Sequence, residues 1–166
     1  MATKSAATAA AARADATLLL TRDHAEVHKL FKEYEKLAES RGEASDRQAL
    51  AEQICMMLTV HATIEEEIFY PAAREAGVES DLLDEAEVEH ACAKALIAQI
   101  RAMPPDEALY DAKVKVLGEY VDHHVREEQE ELFPKCRKAK MDLADLATRL
   151  ADRKAELMAE AAEEIV

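Results

Sequence analysis

The sequence contains five long amphipathic segments separated by connections of only a few residues. In each segment the apolar residues recur at intervals of three and four, which is the spacing of one face of an α-helix. Glycine (3 residues) and proline (4 residues) are too scarce in this chain of 166 residues to interrupt the segments often. Because short connections force long neighbouring helices to run antiparallel, the sequence predicts an all-α fold: an up-down-up-down four-helix bundle with an additional C-terminal helix.

Residues that commonly begin or end helices set the predicted bounds. Ser40–Gly42, Gly77 and the Pro104-Pro105 pair mark the ends of the first three helices, and Ser80 is the expected N-cap of the third. The predicted helices cover about 16–40, 45–77, 80–103, 106–138 and 141–164.

These bounds divide the chain into three regions. Residues 1–14 form an alanine-rich arm that is expected to be disordered, residues 15–140 form the bundle, and residues 141–166 form a helix that packs on the bundle. The alternative for this last helix, given its density of charge, is a solvated or partner-binding tail.

The composition argues against several classes of function. The formal net charge is −14, whereas nucleic acids and anionic membrane surfaces bind clustered Lys and Arg. No stretch approaches the roughly 18 apolar residues of a membrane span, and the start of the chain does not read as a secretory signal, so we expect a soluble, cytoplasmic protein. Cys55, Cys92 and Cys136 have no CxxC spacing and are expected to be reduced, buried thiols without a chemical role.

Histidine and glutamate stand where the apolar stripes require core residues. The inner face of the second helix reads Ile54, Leu58, His61, Glu65, Ile68, and that of the fourth reads Leu117, Val121, His124, Glu128, Leu132. A buried carboxylate costs several kcal/mol unless it is paired or metal-bound. Because imidazole and carboxylate both bind mid-row divalent metals, and the first and third helices each add an inward histidine, the pattern predicts the metal ligands His24, His61, Glu65, His90, His124 and Glu128.

A duplicated motif makes this prediction more specific. The motif HxxxE is weak evidence for a metal site when it stands alone. In this chain it occurs three times, from His61, His123 and His124. HATIEEEIFYP at 61–71, however, aligns without gaps with HVREEQEELFP at 124–134, and the preceding helices carry Asp23-His24 and Glu89-His90. A duplicated helix pair predicts pseudo-twofold symmetry around a two-metal centre.

The size of the ligand set leaves room for other groups. Four histidines and two bridging carboxylates fill about eight of the twelve positions around two octahedral ions. The others could hold a bridging oxo or hydroxo group and an exogenous ligand.

Pro71 and Pro134 are expected to bend or end their helices beyond the site, the alternative being helix termini without functional meaning. Further glutamates are expected on solvated faces, namely Glu66, Glu67, Glu127, Glu130 and Glu131.

The chain carries the motifs H, HxxxE, H and HxxxE in this order, and a proline follows each HxxxE. With this pattern it resembles the hemerythrin-like, or HHE cation-binding, proteins over about residues 16–138. This resemblance implies a four-helix bundle with a non-haem di-iron centre on the six residues given above. The chain departs from the oxygen-carrying hemerythrins, which have HxxxH in the third helix, because Lys94 stands four residues after His90. The fourth-helix carboxylate arrives as HxxxE, from His124 to Glu128, as in bacterial and regulatory HHE domains. A fifth histidine is therefore missing from its usual place, which puts reversible oxygen carriage in doubt.

Two further histidines are secondary candidates. His28 lies one turn after His24 and is a candidate for the missing fifth imidazole, the alternative being an exposed helix histidine. His123 faces about 100° away from His124 around the helix and is expected to be a surface or outer group.

Several functions are compatible with these features. The first is a di-iron protein that binds oxygen, nitric oxide or peroxide in a sensing, scavenging or redox role. The second, which the resemblance permits, is an iron-handling or iron-donating protein, for example in iron-sulfur centre repair. A metal-free interaction module and a site for zinc or manganese are further alternatives. No general acid, base or nucleophile stands out apart from this site, so a metal- and ligand-binding protein is favoured over a dedicated enzyme.

Overall fold

The computed structural model describes residues 15–164, which form helices joined by short loops. The helices are α1 (Ala16–Glu39), α2 (Ala44–Ile64), α3 (Tyr70–Glu75), α4 (Ser80–Ala102), α5 (Tyr110–Glu127), α6 (Phe133–Lys138) and α7 (Leu143–Glu164). Two π turns, π1 (Glu65–Phe69) and π2 (Glu128–Leu132), join α2 to α3 and α5 to α6 without a break. The all-α fold is confirmed, and the predicted arm at 1–14 lies outside the described residues.

Two apolar clusters fill the bundle, one on either side of a polar layer. α1 runs from Leu20 in the first cluster to Val27 in the second, and α2 runs the opposite way, from Ile54 in the second to Ile64 in the first. α4 and α5 repeat this alternation, so successive long helices run up and down as predicted. Each of them carries its inward histidine between the two clusters.

The two π turns are the main departure from the predicted geometry. Each ends in a hydrogen bond from a backbone N–H to the carbonyl five residues earlier, from Tyr70 to Glu65 and from Phe133 to Glu128. A proline follows immediately in both cases. In a regular α-helix the proline ring clashes with the carbonyl four residues before it, and a wider turn relieves that conflict. The helices therefore continue past the prolines for another turn and do not end there.

One predicted helix start and one predicted N-cap are wrong. α5 begins at Tyr110 and not near Asp106, because the residues after the proline pair form turns in which Glu107 N–H donates to Pro104 O at 3.2 Å. Ser80 is the first residue of α4 and not its cap. The cap position belongs to Glu79, whose carboxylate pairs with a lysine and makes no capping hydrogen bond.

The second long helix ends near the predicted glycine. Gly77 has φ of +79°, a left-handed conformation that glycine adopts without steric cost. Val78 N–H donates to Ala73 O at 3.0 Å, five residues back, which is the hydrogen bond of a Schellman-type C-cap. The connection to α4 is consequently short.

The C-terminal helix α7 packs on α1, α2 and π1. Leu146 and Leu150 are buried in the first apolar cluster, so this helix is not a solvated tail. No helix among residues 15–164 combines the length and the apolar character needed to cross a membrane.

The prediction of buried thiols is right for Cys55 and Cys136 and wrong for Cys92, which is exposed on the outer face of α4. Burial raises the pKa of Cys55 to about 11 and that of Cys136 to about 12. Both buried thiols therefore stay protonated at neutral pH and behave as small core residues.

Candidate metal centre

The structure brings the six predicted residues together in the polar layer between the apolar clusters. Each is at most 8% exposed, although all six are polar: His24, His61, Glu65, His90, His124 and Glu128. The histidines form two pairs. The ring centroids of the first pair, His24 and His61, are 4.9 Å apart, and those of the second pair, His90 and His124, are 4.7 Å apart. Metal binding by this set stays a prediction, while its assembly in the core is observed.

Glu65 lies between the two pairs. Its Oε1 atom is 2.6 Å from Nε2 of His61 in the first pair and 3.8 Å from Nε2 of His90 in the second. Glu65 therefore belongs to both groups of potential ligands in the core, in each of which the donor atoms lie within 4.8 Å of one another. This is the position of a bridging carboxylate.

Glu128 makes the matching contacts from the opposite copy of the repeat. Its Oε1 atom is 3.2 Å from Nε2 of His24 in the first pair and 3.0 Å from Nε2 of His124 in the second. Each carboxylate thus contacts one imidazole of each pair. The pseudo-twofold arrangement expected from the duplicated sequence is present in the side-chain geometry.

A polar side chain from another helix holds the outer nitrogen of each histidine. Nδ1 of His24 is 2.9 Å from Gln129 Oε1, Nδ1 of His61 is 3.0 Å from Asp23 Oδ2, Nδ1 of His90 is 3.3 Å from Glu66 Oε2, and Nδ1 of His124 is 3.0 Å from Glu89 Oε1. When Nδ1–H donates outward, the Nε2 lone pair faces the centre, as a metal ligand requires.

The outer partners follow the duplication. Asp23 and Glu89 precede the histidines of the first and third long helices, and Glu66 and Gln129 follow the two central glutamates. The sequence shows the Asp-His and Glu-His pairs but not their role, because each partner reaches a histidine on a different helix. Glu66 was expected on a solvated face, and this expectation is wrong.

The three carboxylates among these partners are each paired with a basic side chain. Lys154 Nζ of α7 lies 2.6 Å from Asp23 Oδ1. Glu66 Oε1 lies 2.6 Å from a lysine, and Glu89 Oε2 lies 3.4 Å from a histidine; these partners are Lys94 and His123. The fourth partner, Gln129, is a neutral amide. The surroundings of the four histidines are therefore similar but not identical.

Within residues 15–164, five buried side-chain atoms at the centre find no hydrogen-bond partner: Nε2 of His24, Nε2 of His61, both carboxylate oxygens of Glu65, and Oε1 of Glu128. Nε2 of His61 is close to Glu65, but the direction of approach is not that of a hydrogen bond. An unpaired buried polar atom costs about 1–3 kcal/mol. Cations that accept several lone pairs at once would satisfy all five, and this imidazole and carboxylate set suits mid-row metals. The residues present fit a pair of metal ions.

The charges of the cluster shift its pKa values strongly. Burial lowers the pKa of His61, but the charge of Glu65 and the hydrogen bond to Asp23 raise it to about 10. Burial also opposes protonation of His124, yet the carboxylate of Glu128 raises its pKa well above the usual range. Burial raises the pKa of Glu128, and the positive His124 lowers it well below the usual range. Without metal, protonated imidazoles therefore balance the buried carboxylates.

Tyr70 is a site residue that the sequence did not single out. Its hydroxyl donates to Glu128 Oε2 at 2.9 Å, and the phenol oxygen lies 3.3 Å from His90 Nε2 and 3.4 Å from His124 Nε2. Burial and the charge of Glu128 raise the pKa of Tyr70, so the phenol keeps its proton. The repeat aligns Tyr70 with Phe133, so only one copy carries a hydroxyl at this position. That difference between the copies was the one feature of the sequence that could have pointed to Tyr70.

The two secondary histidines lie outside the centre. His28 is exposed, and its nearest carboxylate is that of Asp122, at 3.4 Å, so it does not supply a fifth imidazole. His123 is an exposed surface group, as expected, and contacts Glu89 and Glu127.

A small cavity adjoins the four histidines on the side of the second apolar cluster. Its volume is about 50 Å³, and its wall contains the aliphatic side chains of Val27, Leu58, Ala93, Ile97, Val121 and Val125. A site for one water molecule needs about 10–15 Å³ of such volume, so the cavity has room for a few water-sized groups.

Comparison with known proteins agrees with the fold and with the chemistry of the site. The sequence model of the Hemerythrin HHE cation binding domain matches residues 15–136. A hemerythrin HHE cation-binding domain-containing protein from Mycobacterium kansasii, a homologue of Rv2633c, has a similar fold with a TM-score of 0.75 and 22% identity, over 91% of each chain. A DNA nickase from Nostoc sp. is 34% identical over 122 residues, which are 72% of this chain but only 32% of that protein. The chain belongs to the hemerythrin HHE cation-binding domain family.

Proposed function

We propose that the protein holds two iron ions in this centre and binds dioxygen, nitric oxide or peroxide beside them, in a sensing, scavenging or redox role. The observation that carries the proposal is the sharing of Glu65 and Glu128 between two buried histidine pairs next to a cavity of about 50 Å³. Six donor residues leave coordination positions unfilled on two six-coordinate ions, so a small ligand has a place to bind.

Bound iron would supply open coordination positions and redox chemistry. The chain itself supplies the rest. The outer partners fix the four imidazoles with Nε2 inward, the aliphatic cavity wall limits access to small molecules, and Tyr70 holds a proton next to Glu128. Tyr70 belongs to the first apolar cluster and does not line the cavity, so its proton orients Glu128 from the opposite side of the centre.

The absence of a fifth imidazole favours these roles over reversible oxygen carriage. Lys94 occupies the position where oxygen-carrying hemerythrins are expected to have histidine, and it pairs with Glu66. His28 does not replace that ligand, since it contacts Asp122 on the surface.

The similarity to a DNA nickase does not extend to a proposal of DNA cleavage. This chain spans about a third of that protein's length. Its net charge of −14 also disfavours contact with a phosphate backbone.

Metal analysis of protein isolated without added iron, combined with its ultraviolet–visible spectrum, tests the proposal. We expect two irons per chain and absorption bands that change on reduction and on exposure to oxygen, nitric oxide or peroxide. His61→Ala should lose the metal, while His28→Ala, in an exposed helix histidine, should retain it.

Two outcomes would contradict the proposal. Protein without stoichiometric metal, and with no difference between the two variants, would exclude a metal centre. Iron that passes readily to an acceptor, with no spectral response to any of the three ligands, would favour the iron-donating alternative.

A further inference from the structure

A separate group of potential metal ligands lies on the surface beside the buried centre. It consists of Glu89 from α4 and of His123 and Glu127 from α5, and one donor atom of each lies within 4.8 Å of the others. Nε2 of His123 is 3.4 Å from Glu89 Oε2 and 3.1 Å from Glu127 Oε1. His123 and Glu127 form the third HxxxE of the sequence, which the buried centre does not use.

The two carboxylates of this group have no lysine or arginine partner among residues 15–164. Among residues 15–164, Glu89 and Glu127 form ion pairs with histidines alone. The neighbouring acidic residues Glu66 and Glu67, by contrast, are neutralised by a lysine and an arginine. The side chains of Glu89 and Glu127 are 23% and 31% exposed, so two partly desolvated negative charges face one imidazole. Like charges held close together repel each other, and a cation bound between them relieves this repulsion.

Glu89 connects this group to the buried centre. Its Oε2 faces His123 on the surface, and its Oε1 lies 3.0 Å from Nδ1 of the buried His124. Glu89 and His124 also both line the cavity that reaches the four histidines. A single carboxylate thus separates the surface group from a route to the interior.

We propose that Glu89, His123 and Glu127 form a surface site for one divalent transition-metal ion, and that iron(II) passes from it to the buried centre; the second part rests on the proposed di-iron function. An imidazole with two carboxylates suits mid-row ions better than it suits magnesium or calcium, which prefer oxygen ligands alone. Water completes the coordination, which keeps the ion exchangeable.

Cobalt(II) binding to the full chain tests the surface site. Equilibrium dialysis followed by metal analysis should give three ions per chain for the natural sequence and two for His123→Ala. His28→Ala is the matched control, because His28 is another exposed helix histidine with a single carboxylate neighbour, and this variant should keep three. Equal numbers of bound ions in His123→Ala and in the natural chain would overturn the site.

A chain with Glu65→Gln and Glu128→Gln separates this proposal from the di-iron function, because it disables the buried centre and leaves the surface group intact. It should still bind one cobalt ion, and adding His123→Ala should remove that ion. A natural chain that binds only one ion, lost in His123→Ala, would contradict the buried centre and support the surface site.

The transfer step has its own measurement. Iron(II) loading, followed by absorbance, should reach the same final spectrum in His123→Ala as in the natural chain, but several-fold more slowly. Equal loading rates, with circular dichroism showing that both chains are folded, would refute the role in transfer.

Discussion

The two histidine pairs differ in the atoms that surround them. In the second pair, His90 and His124, both outer nitrogens face carboxylates, and the hydroxyl of Tyr70 reaches the inner nitrogens. In the first pair, His24 faces the amide of Gln129, and its ring lies parallel to that of Phe133 at 6.0 Å. A carboxylate partner raises the basicity of an imidazole ligand more than a neutral partner does. The second pair is therefore the stronger donor set, and an ion bound at the first pair would exchange more readily.

Removing the hydroxyl of Tyr70 should destabilise the metal-free protein. Tyr70→Phe keeps the ring, which packs as Phe133 does in the other copy of the repeat, but removes the hydrogen bond to the ionised Glu128. Hydrogen bonds to charged groups contribute about 1.5–3 kcal/mol, so the free energy of unfolding should fall by about that amount. Urea unfolding of both chains at neutral pH measures the difference.

Tyr120→Phe is the control for this substitution. Tyr120 is 51% exposed, so losing its hydroxyl should leave the unfolding free energy unchanged within error. Equal effects of the two substitutions would show that the hydrogen bond of Tyr70 to Glu128 adds nothing to the stability of the centre.

The sequence indicated which six residues meet in the core, because histidine and glutamate interrupt apolar stripes whose period is regular. It did not indicate Tyr70 or Glu66. Both lie at or just after π1, where one extra residue in the turn changes which side chains face inward. The contacts of the outer partners also join different helices, and the spacing along one helix carries no information about them.

At the scale of elements, α7 reaches the centre through one side chain. Lys154 Nζ contacts the buried Asp23, which holds His61, while the adjacent Arg153 contacts Glu67 on the surface. The hydrogen bonds and charges of His61 and Lys154 outweigh burial and lower the pKa of Asp23. The C-terminal helix thus helps to keep this carboxylate ionised and oriented toward His61.

Lys154→Met should weaken metal binding without unfolding the bundle. Loss of the ammonium group leaves Asp23 with less positive charge around it and His61 less firmly oriented. Loss of an outer partner of a metal ligand commonly costs 10- to 100-fold in metal affinity, and a partner one step further out should cost about 10-fold. Competition with a chelator of known affinity measures the change.

Arg153→Met and Lys154→Arg are the matched controls. The first removes a surface ion pair of the same helix and should leave metal affinity unchanged, and the second keeps the charge and should restore most of it. If Lys154→Met lowered the melting temperature but not the metal affinity, α7 would be a structural support only.

The helices themselves were largely predictable, since their apolar stripes and the glycine and proline breaks are local signals. The π turns were not, because a regular apolar period of 3.6 residues gives no sign of a turn that contains one extra residue. The start of α5 was placed too early for a related reason. Residues after Pro104–Pro105 have helix-forming side chains, but their backbone hydrogen bonds close turns instead.

At the scale of the whole molecule, the polar layer divides what would otherwise be one continuous core. Each apolar cluster is built from several long helices and packs on its own side of the layer. The layer holds two carboxylates and four imidazoles, a set that is costly to bury without compensating positive charge. Protons provide that charge in the metal-free protein, and metal ions would provide it in the loaded one.

This exchange of charge predicts that metal binding releases protons. In the metal-free protein the pKa of His61 is about 10 and that of His124 is well above its usual range, so both are protonated at pH 7.5. A ligand imidazole must be neutral at Nε2, and binding therefore displaces these protons. Calorimetric titration with cobalt(II) in two buffers of different ionisation enthalpy should show proton release, and the affinity should rise with pH.

The same pKa shifts fix the pH dependence of stability in the metal-free protein. The pKa of His61 in the folded state lies above its unfolded value of 6.5, so its stabilising contribution is complete below pH 6.5 and is lost as the pH rises towards 10. The pKa of Asp23 lies below its unfolded value of 3.8, so its contribution is lost as the pH falls below that value. Urea midpoints should therefore decline from pH 6.5 to 10 without metal and stay nearly level with it. A metal-free protein whose stability is level over this range would show that the buried imidazoles are neutral, and the release of protons on metal binding would then be absent as well.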